Sequence, residues 1–229
     1  MADMFYVGAY WGPRAESAKE CAQRLALCLS QLGEAHPALA TWFRKDKSKS
    51  AASGNPVTTS ADALETMLVG GRNRMDIDGQ VISELGFRVS LWNKNPVAVS
   101  FSTTCGASPA TSSVKNYFTL ELPEPVGAAA ELYDSGIAKS VFCSVVEAWD
   151  PQWATFASYS MRAAQEGNPG CPVGGWMTYV SGARKSTAAE VPELSVEEFL
   201  GGTLLVAGPN PLQVSDSHLS GVVEFLSRI

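Results

Sequence analysis

At 229 residues, with 45% hydrophobic and 17% charged side chains, the chain has enough apolar material for a buried core and too little bias for intrinsic disorder. Its formal net charge of −6 is uneven: residues 1–120 carry 12 Lys/Arg against 10 Asp/Glu, whereas residues 121–229 carry 5 against 13. The acidic second part disfavours direct binding of nucleic acid or of anionic membranes, and it favours a basic partner.

The sequence predicts a soluble, cytoplasmic protein. No apolar run approaches the roughly 20 residues of a membrane-spanning helix, and the amino terminus lacks the basic and apolar regions of a signal peptide. The five cysteines are odd in number and do not suggest a disulfide framework, which fits a reducing compartment. We expect residues 1–229 to form a single domain.

The first part of the chain opens with a strand and an amphipathic helix. Aromatic and β-branched residues at 5–10 predict the strand, and apolar residues at helical spacing over 18–32 predict the helix. We expect a second short helix at residues 37–43, a flexible loop at residues 44–59, which are rich in Lys and Ser, and a helix at residues 60–68.

The middle of the chain alternates apolar and polar residues with period two. Residues 85–91, 97–101 and 118–122 are therefore predicted to be strands of an antiparallel sheet. A helical stripe follows at residues 141–149 and predicts a helix, although the β-branched residues in it leave a strand as the alternative. Because Asp is a favoured N-cap and Pro suits the first helical turn, the Asp-Pro pair that follows predicts a further helix at residues 151–165.

The last part contains two more predicted strands, at residues 176–181 and 203–207. Ser195 and Glu198 have the spacing of a capping box, which predicts a short helix, and a terminal helix begins near residue 216. The irregular order of strands and helices excludes a doubly wound parallel sheet. The predicted fold is α+β, with an antiparallel sheet of about five to six strands packed with helices in one domain.

Residues with the spacing of a catalytic or metal site are scarce. Cys-x-x-Cys, His-x-x-x-His and the glycine-rich phosphate motifs are absent, so we expect no metal and no cofactor. We also expect no enzymatic activity. One alternative is a hydrolase or transferase that uses Cys105 or Cys171 with His218, or Asp216 with His218, although capping of the terminal helix explains Asp216 more simply. Another is a small-ligand binding module; neither has a positive motif.

Four segments together resemble the Immunity protein 52 family. They are Tyr10-Trp11-Gly12-Pro13-Arg14, Trp149-Asp150-Pro151, Gly175-Trp176-Met177-Thr178-Tyr179 and Gly201-Gly202-Thr203-Leu204-Leu205. The resemblance implies a bacterial immunity protein of a polymorphic toxin or type VI secretion system, which binds and neutralises a cognate toxin, with a DNase of restriction-endonuclease fold as the expected toxin. The motif residues expected to be structural are Trp11, Gly12, Arg14, Trp149, Asp150, Pro151, Trp176 and Tyr179.

Two acidic segments are the predicted partner-binding residues. A nuclease presents Lys and Arg to its polyanionic substrate, and an acidic surface could engage those cations in place of phosphate. The first segment comprises Glu121, Glu124, Glu131 and Asp134, and the second comprises Glu190, Glu193, Glu197 and Glu198. The alternative explanation, which needs no partner, is that these acidic residues are simply exposed to solvent. For Glu197 and Glu198, helix capping is a further alternative.

Overall fold

The computed structural model describes residues 3–44, 54, 56–108, 116–165, 172–182 and 194–228. Five α-helices lie within these residues: α1 (Ala18–Ala35), α2 (Ala61–Gly70), α3 (Ser135–Trp149), α4 (Tyr159–Ala163) and α5 (Asp216–Ser227). The described strands are β1 (Phe5–Trp11), β2 (Phe43–Arg44), β3 (Phe87–Trp92), β4 (Ser100–Cys105), β5 (Asn116–Leu122), β6 (Trp153–Ser158), β7 (Met177–Ser181), β8 (Leu194–Phe199) and β9 (Gly202–Ala207).

The nine strands are hydrogen-bonded in the order β2-β3-β4-β5-β1-β6-β7-β9-β8. Pairing is antiparallel between β2 and β3, β3 and β4, β6 and β7, β7 and β9, and β8 and β9. The α+β class is as predicted, but the prediction of five to six strands is wrong. The three strands that were not predicted are β2, β6 and β8.

The predicted helix at residues 151–165 is replaced by β6 and the five-residue helix α4. Asp150 does not cap a new helix; it ends α3 in the left-handed conformation, at φ 45° and ψ 60°. Five of the six residues of β6 are buried. A strand buried on both faces has no polar alternation, so its sequence lacks the period-two signal that marks half-buried strands.

β8 replaces the short helix predicted from Ser195 and Glu198. The two residues pair with Val206 and Thr203 of β9, so their spacing serves a ladder and not a capping box. Helix capping is therefore wrong as an explanation for Glu197 and Glu198. A four-residue motif is weak evidence for a helix when flanking residues can hydrogen-bond to a neighbouring strand.

Most other predicted elements are confirmed. α1 begins with a capping box in which the Glu20 backbone N–H donates to Ser17 Oγ and the Ser17 backbone N–H donates to the Glu20 carboxylate. The helix predicted at residues 37–43 is shorter than expected: it is a single 3-10 turn at Pro37–Leu39, and β2 follows at Phe43–Arg44. The predicted loop at residues 44–59 falls largely outside the described residues.

The chain divides into two compact units, and the single-domain prediction stays a prediction. Residues Tyr10–Leu120 are called the central unit, and Met1–Ala9 with Glu121–Ile229 are called the terminal unit. In the central unit α1 packs against α2, and the Phe101 ring lies 4.9 Å from Trp42 and 5.3 Å from Phe118. These buried rings form part of its core.

In the terminal unit α5 covers one cluster of sheet residues. Val222 and Phe225 pack with Val180, Leu205 and Ala207. A second cluster joins the rings of Phe5, Tyr133, Phe156 and Trp176 at centroid distances of 5.2–6.5 Å. The first cluster packs α5 against β7 and β9, and the second brings β1 and β6 together. Among the described residues, none of the helices is long and apolar enough to cross a membrane.

Candidate partner-binding surface

A groove of about 550 Å³ lies within the terminal unit. Its walls come from the residues before β1, the segment between β5 and α3, the start of α4, and the connection from β9 to α5. Three carboxylates line it, those of Asp3, Glu124 and Asp216. None of the described residues that line it is a Lys, Arg or His.

Asp3 is fixed by the start of α4. The Ser160 backbone N–H donates to Asp3 Oδ1 at 3.2 Å, and the Ser160 hydroxyl donates to Oδ2. Burial opposes ionisation, but the hydrogen bonds from Ser160 and Ser158 outweigh it and lower the pKa of Asp3. This carboxylate therefore stays charged at neutral pH.

Asp216 is the first residue of α5, and its neighbours form the cap. Ser215 is the N-cap: its hydroxyl accepts from the His218 backbone N–H, and its backbone N–H donates to His218 Nδ1 at 3.1 Å. Asp216 is thus free of the capping role, and its carboxylate is exposed at a helix amino terminus, where negative charge is favoured. His218 is buried and acts in the cap.

Apolar side chains stand among the groove's carboxylates. Val126 and Leu212 are 65% and 70% exposed, and each follows a proline that also lines the groove. The buried Phe5 and Met161 lie deeper. Asp3, Val126 and Leu212 were not predicted as site residues; the available signal was an aliphatic residue in a turn rich in Pro, as in Pro209-Asn210-Pro211-Leu212. Asp216 was considered as a partner of His218 and as a helix cap, and the capping explanation is wrong because Ser215 is the N-cap.

In the first predicted acidic segment, one residue lines the groove and another caps a helix. Glu124 lines the groove. Glu121 is exposed at the end of β5. Tyr159 lies between the groove residues Ser158 and Ser160, and its pKa is raised first by burial and second by the negative charge of Glu121. Glu131 is exposed, whereas Asp134 is the N-cap of α3 and accepts from the Gly136 and Ile137 backbone N–H groups.

The second predicted acidic segment is not gathered at the groove. Glu197 pairs with Lys139 of α3 at 2.6 Å, and Glu198 is exposed on β8. Neither residue lines the groove. Glu190 and Glu193 lie outside the described residues. The charged surface that the structure brings together is therefore formed by Asp3, Glu124 and Asp216, with Glu121 nearby.

The first family motif is built into the central unit. Trp11 is 3% exposed, and the Arg14 guanidinium lies 5.0 Å from its ring centroid while pairing with Glu16 at 3.1 Å. Gly12 is half-buried, and its carbonyl accepts from the side chain of Asn116 at 2.7 Å.

The other motif residues pack in the terminal unit. Trp149 is fully buried, Pro151 is buried, and Asp150 between them supplies the left-handed turn that Asp and Asn tolerate best among residues with a side chain. The Trp176 indole N–H donates to the Gly208 carbonyl at 3.2 Å, and the Tyr179 hydroxyl donates to the Leu200 carbonyl at 3.4 Å. The structure therefore places these motif residues in buried or hydrogen-bonded positions of the fold, and their purely structural role stays a prediction.

The cysteines do not form a reactive site among the described residues. Cys105 is fully buried, and a hydrogen bond with Cys21 together with burial raises the pKa of the Cys105 thiol. Burial raises the pKa of Cys143 to about 11. Because the thiolate is the nucleophile, both thiols are held in the unreactive form at neutral pH. Cys171 lies outside the described residues, and within them no three His, Cys, Asp or Glu residues cluster as metal ligands.

A sequence profile of the family described as Immunity protein 52 matches residues 3–220, nearly the whole chain. The chain belongs to the Immunity protein 52 family. The match includes the three groove carboxylates and all four segments on which the resemblance was based. Membership of an immunity protein family implies a cognate toxin partner for this chain.

A solved structure shares the fold of this Immunity protein 52 member. The Pseudomonas aeruginosa T6SS protein PA0821 superimposes with a TM-score of 0.54 over 98% of this chain and 72% of that chain, at 13% sequence identity. At that identity the similarity supports the fold alone. No curated protein matches the sequence.

Proposed function

We propose that this protein binds a cognate secreted toxin and neutralises it as a stoichiometric inhibitor, without catalysis, in the cytoplasm of the cell that makes it. The nearly full-length match to the Immunity protein 52 family supports the role. The protein that shares the fold is described as a type VI secretion system protein, and we propose on that basis that a system of this kind delivers the toxin.

The observation that carries the mode of inhibition is the groove with three carboxylates and, among its described lining, no cation. A nuclease must attract phosphate and therefore presents Lys and Arg around its active site. An acidic inhibitor complements that surface, accelerates association and competes with the nucleic acid. We propose that the toxin is a DNase of restriction-endonuclease fold and that the acidic surface of the terminal unit blocks access to its substrate.

The test is binding to the toxin encoded by the neighbouring gene, prepared as a catalytically inactive variant. We expect a 1:1 complex with a Kd in the nanomolar range or below, because a leaked toxin molecule turns over repeatedly and the inhibitor protects while bound. Slow dissociation should supply most of this affinity. Calorimetry or interferometry gives the constants, and co-expression with active toxin gives protection. Absence of binding at micromolar concentration would reject the proposed function.

Replacing Cys105 with Ala tests the hydrolase alternative. We expect full protection and unchanged toxin affinity, since the thiol is buried and its pKa is raised. Loss of the buried sulfur should lower the free energy of unfolding by about 1 kcal/mol. Protection assays and urea denaturation of the variant measure both quantities. A variant that folds and binds toxin normally but no longer protects would favour an enzyme instead.

A further inference from the structure

Two aliphatic side chains at the groove remain largely in water. Val126 and Leu212 are 65% and 70% exposed, and both line the same cavity as the buried Phe5 and Met161. Covering side chains of this size removes apolar surface from water, so a partner that covers them gains binding free energy. Apolar surface of this kind, bordered by polar residues, is typical of protein-binding sites.

The charges of the groove limit what can cover those side chains. Asp3, Glu124 and Asp216 contribute three carboxylates, and the described lining holds no Lys, Arg or His to offset them. Asp3 is held in place by Ser160, and Asp216 lies at the start of α5. An anionic or purely apolar occupant would remove these carboxylates from water without compensation, which is costly. The occupant must therefore combine apolar and cationic groups.

The exposed side chains at the edge of the groove favour a peptide segment over a small molecule as its occupant. The groove volume of about 550 Å³ falls within the range of small-ligand cavities, so volume alone does not distinguish the two. The Leu212 side chain, however, is largely exposed to solvent. A small molecule enclosed in the cavity would leave most of that side chain in water. A protein surface covers the cavity and its exposed side chains together.

We infer that the groove of the terminal unit binds a segment of the toxin in which a large apolar side chain is flanked by Lys or Arg. The apolar side chain packs against Val126 and Leu212, and the flanking cations face the three carboxylates. The inference rests on the proposed function and identifies the surface and the partner chemistry that perform it.

Leucine truncation tests the apolar contact. Leu212→Ala is compared with Leu200→Ala, since both leucines are exposed, belong to the terminal unit and differ in that Leu212 lines the groove. We expect Leu212→Ala to weaken binding of the inactive toxin about tenfold, mainly through faster dissociation. Leu200→Ala should stay within twofold of the wild type. Both variants should keep the wild-type melting temperature.

Charge reversal tests the cationic contact. Glu124→Lys is compared with Glu84→Lys, an exposed residue of the central unit whose reversal changes the net charge equally. We expect Glu124→Lys to slow association at least fivefold more than Glu84→Lys and to reduce its dependence on ionic strength. Association rates at low and physiological salt give the comparison.

Three outcomes separate the inference from the function on which it rests. If the wild type binds the toxin tightly and both groove variants bind as their controls do, the inference is wrong and the proposed function stands. If the wild type does not bind the toxin, both fail. If sedimentation shows that Leu212→Ala dissociates a dimer while toxin affinity is unchanged, a second copy of the chain occupies the groove and the inference is overturned.

Discussion

Replacing Asn116 with Ala is expected to destabilise the protein by about 3–5 kcal/mol. The Asn116 side chain is fully buried and joins two segments of the central unit: it donates to the carbonyls of Gly12 at 2.7 Å and Ala107 at 2.9 Å, and it accepts from the Ala107 N–H at 2.8 Å. Alanine would leave these backbone groups without their partner, and each buried unsatisfied group costs about 1–3 kcal/mol.

Two further variants make the Asn116 prediction specific. Asn116→Asp has nearly the same volume but would direct one carboxylate oxygen at the Gly12 and Ala107 carbonyls, so it should be at least as damaging as Ala. Asn73→Ala removes the same atoms from a half-buried side chain that makes no hydrogen bond among the described residues, and it should change stability by less than about 0.5 kcal/mol. Urea denaturation measures all three. An Asn116→Ala loss below about 1 kcal/mol would contradict the role assigned to this side chain.

Gly86→Ala is expected to lower the free energy of unfolding by about 4 kcal/mol or more, or to prevent folding. Gly86 has φ 65° and ψ −146°, a region that is essentially restricted to glycine. A Cβ atom there would lie 2.3 Å from the Cys105 carbonyl oxygen and 2.5 Å from the Ala107 nitrogen. The backbone strain and the steric clash both destabilise the variant. The turn has little room to relax, because β3 begins at the next residue, Phe87, which pairs with Cys105.

Gly70→Ala is the matched control for Gly86→Ala. Gly70 is the last residue of α2, and apart from its chain neighbours and the adjacent helix backbone no described heavy atom would lie within 4 Å of a Cβ atom there. This variant should be unchanged or more stable by up to about 1 kcal/mol. A drop of about 10 °C or more in melting temperature is expected for Gly86→Ala. A melting temperature within 2 °C of the wild type would show that the turn relaxes.

Asn116→Ala and Gly86→Ala should also reduce protection against the toxin, but for a different reason from the groove variants. An unstable immunity protein is depleted in the cell, where a loss of a few kcal/mol can change abundance several-fold. A groove variant should keep its stability and lose affinity. Measuring melting temperature beside toxin affinity therefore separates residues that maintain the fold from residues that contact the partner.

Local patterns in the sequence were sufficient to predict the elements that are buried on one face. β3 and β5 alternate, and α1 carries an apolar stripe. These signals are readable because one face of each element meets the core and the other meets water. The family resemblance also came from short local segments of the sequence, whose large residues such as Trp11 and Trp176 are buried in the structure.

The tertiary structure alone decided β6, β8 and the groove. β6 is buried on both faces, β8 depends on its ladder with β9, and Asn116 shows its role once Gly12 and Ala107 are brought beside it. The groove assembles Asp3, Glu124 and Asp216, which are more than 200 residues apart at the extremes of the chain. Sequence determined the acidic charge and the family, whereas the placement of that charge beside Val126 and Leu212 depends on contacts between distant segments, which local patterns do not encode.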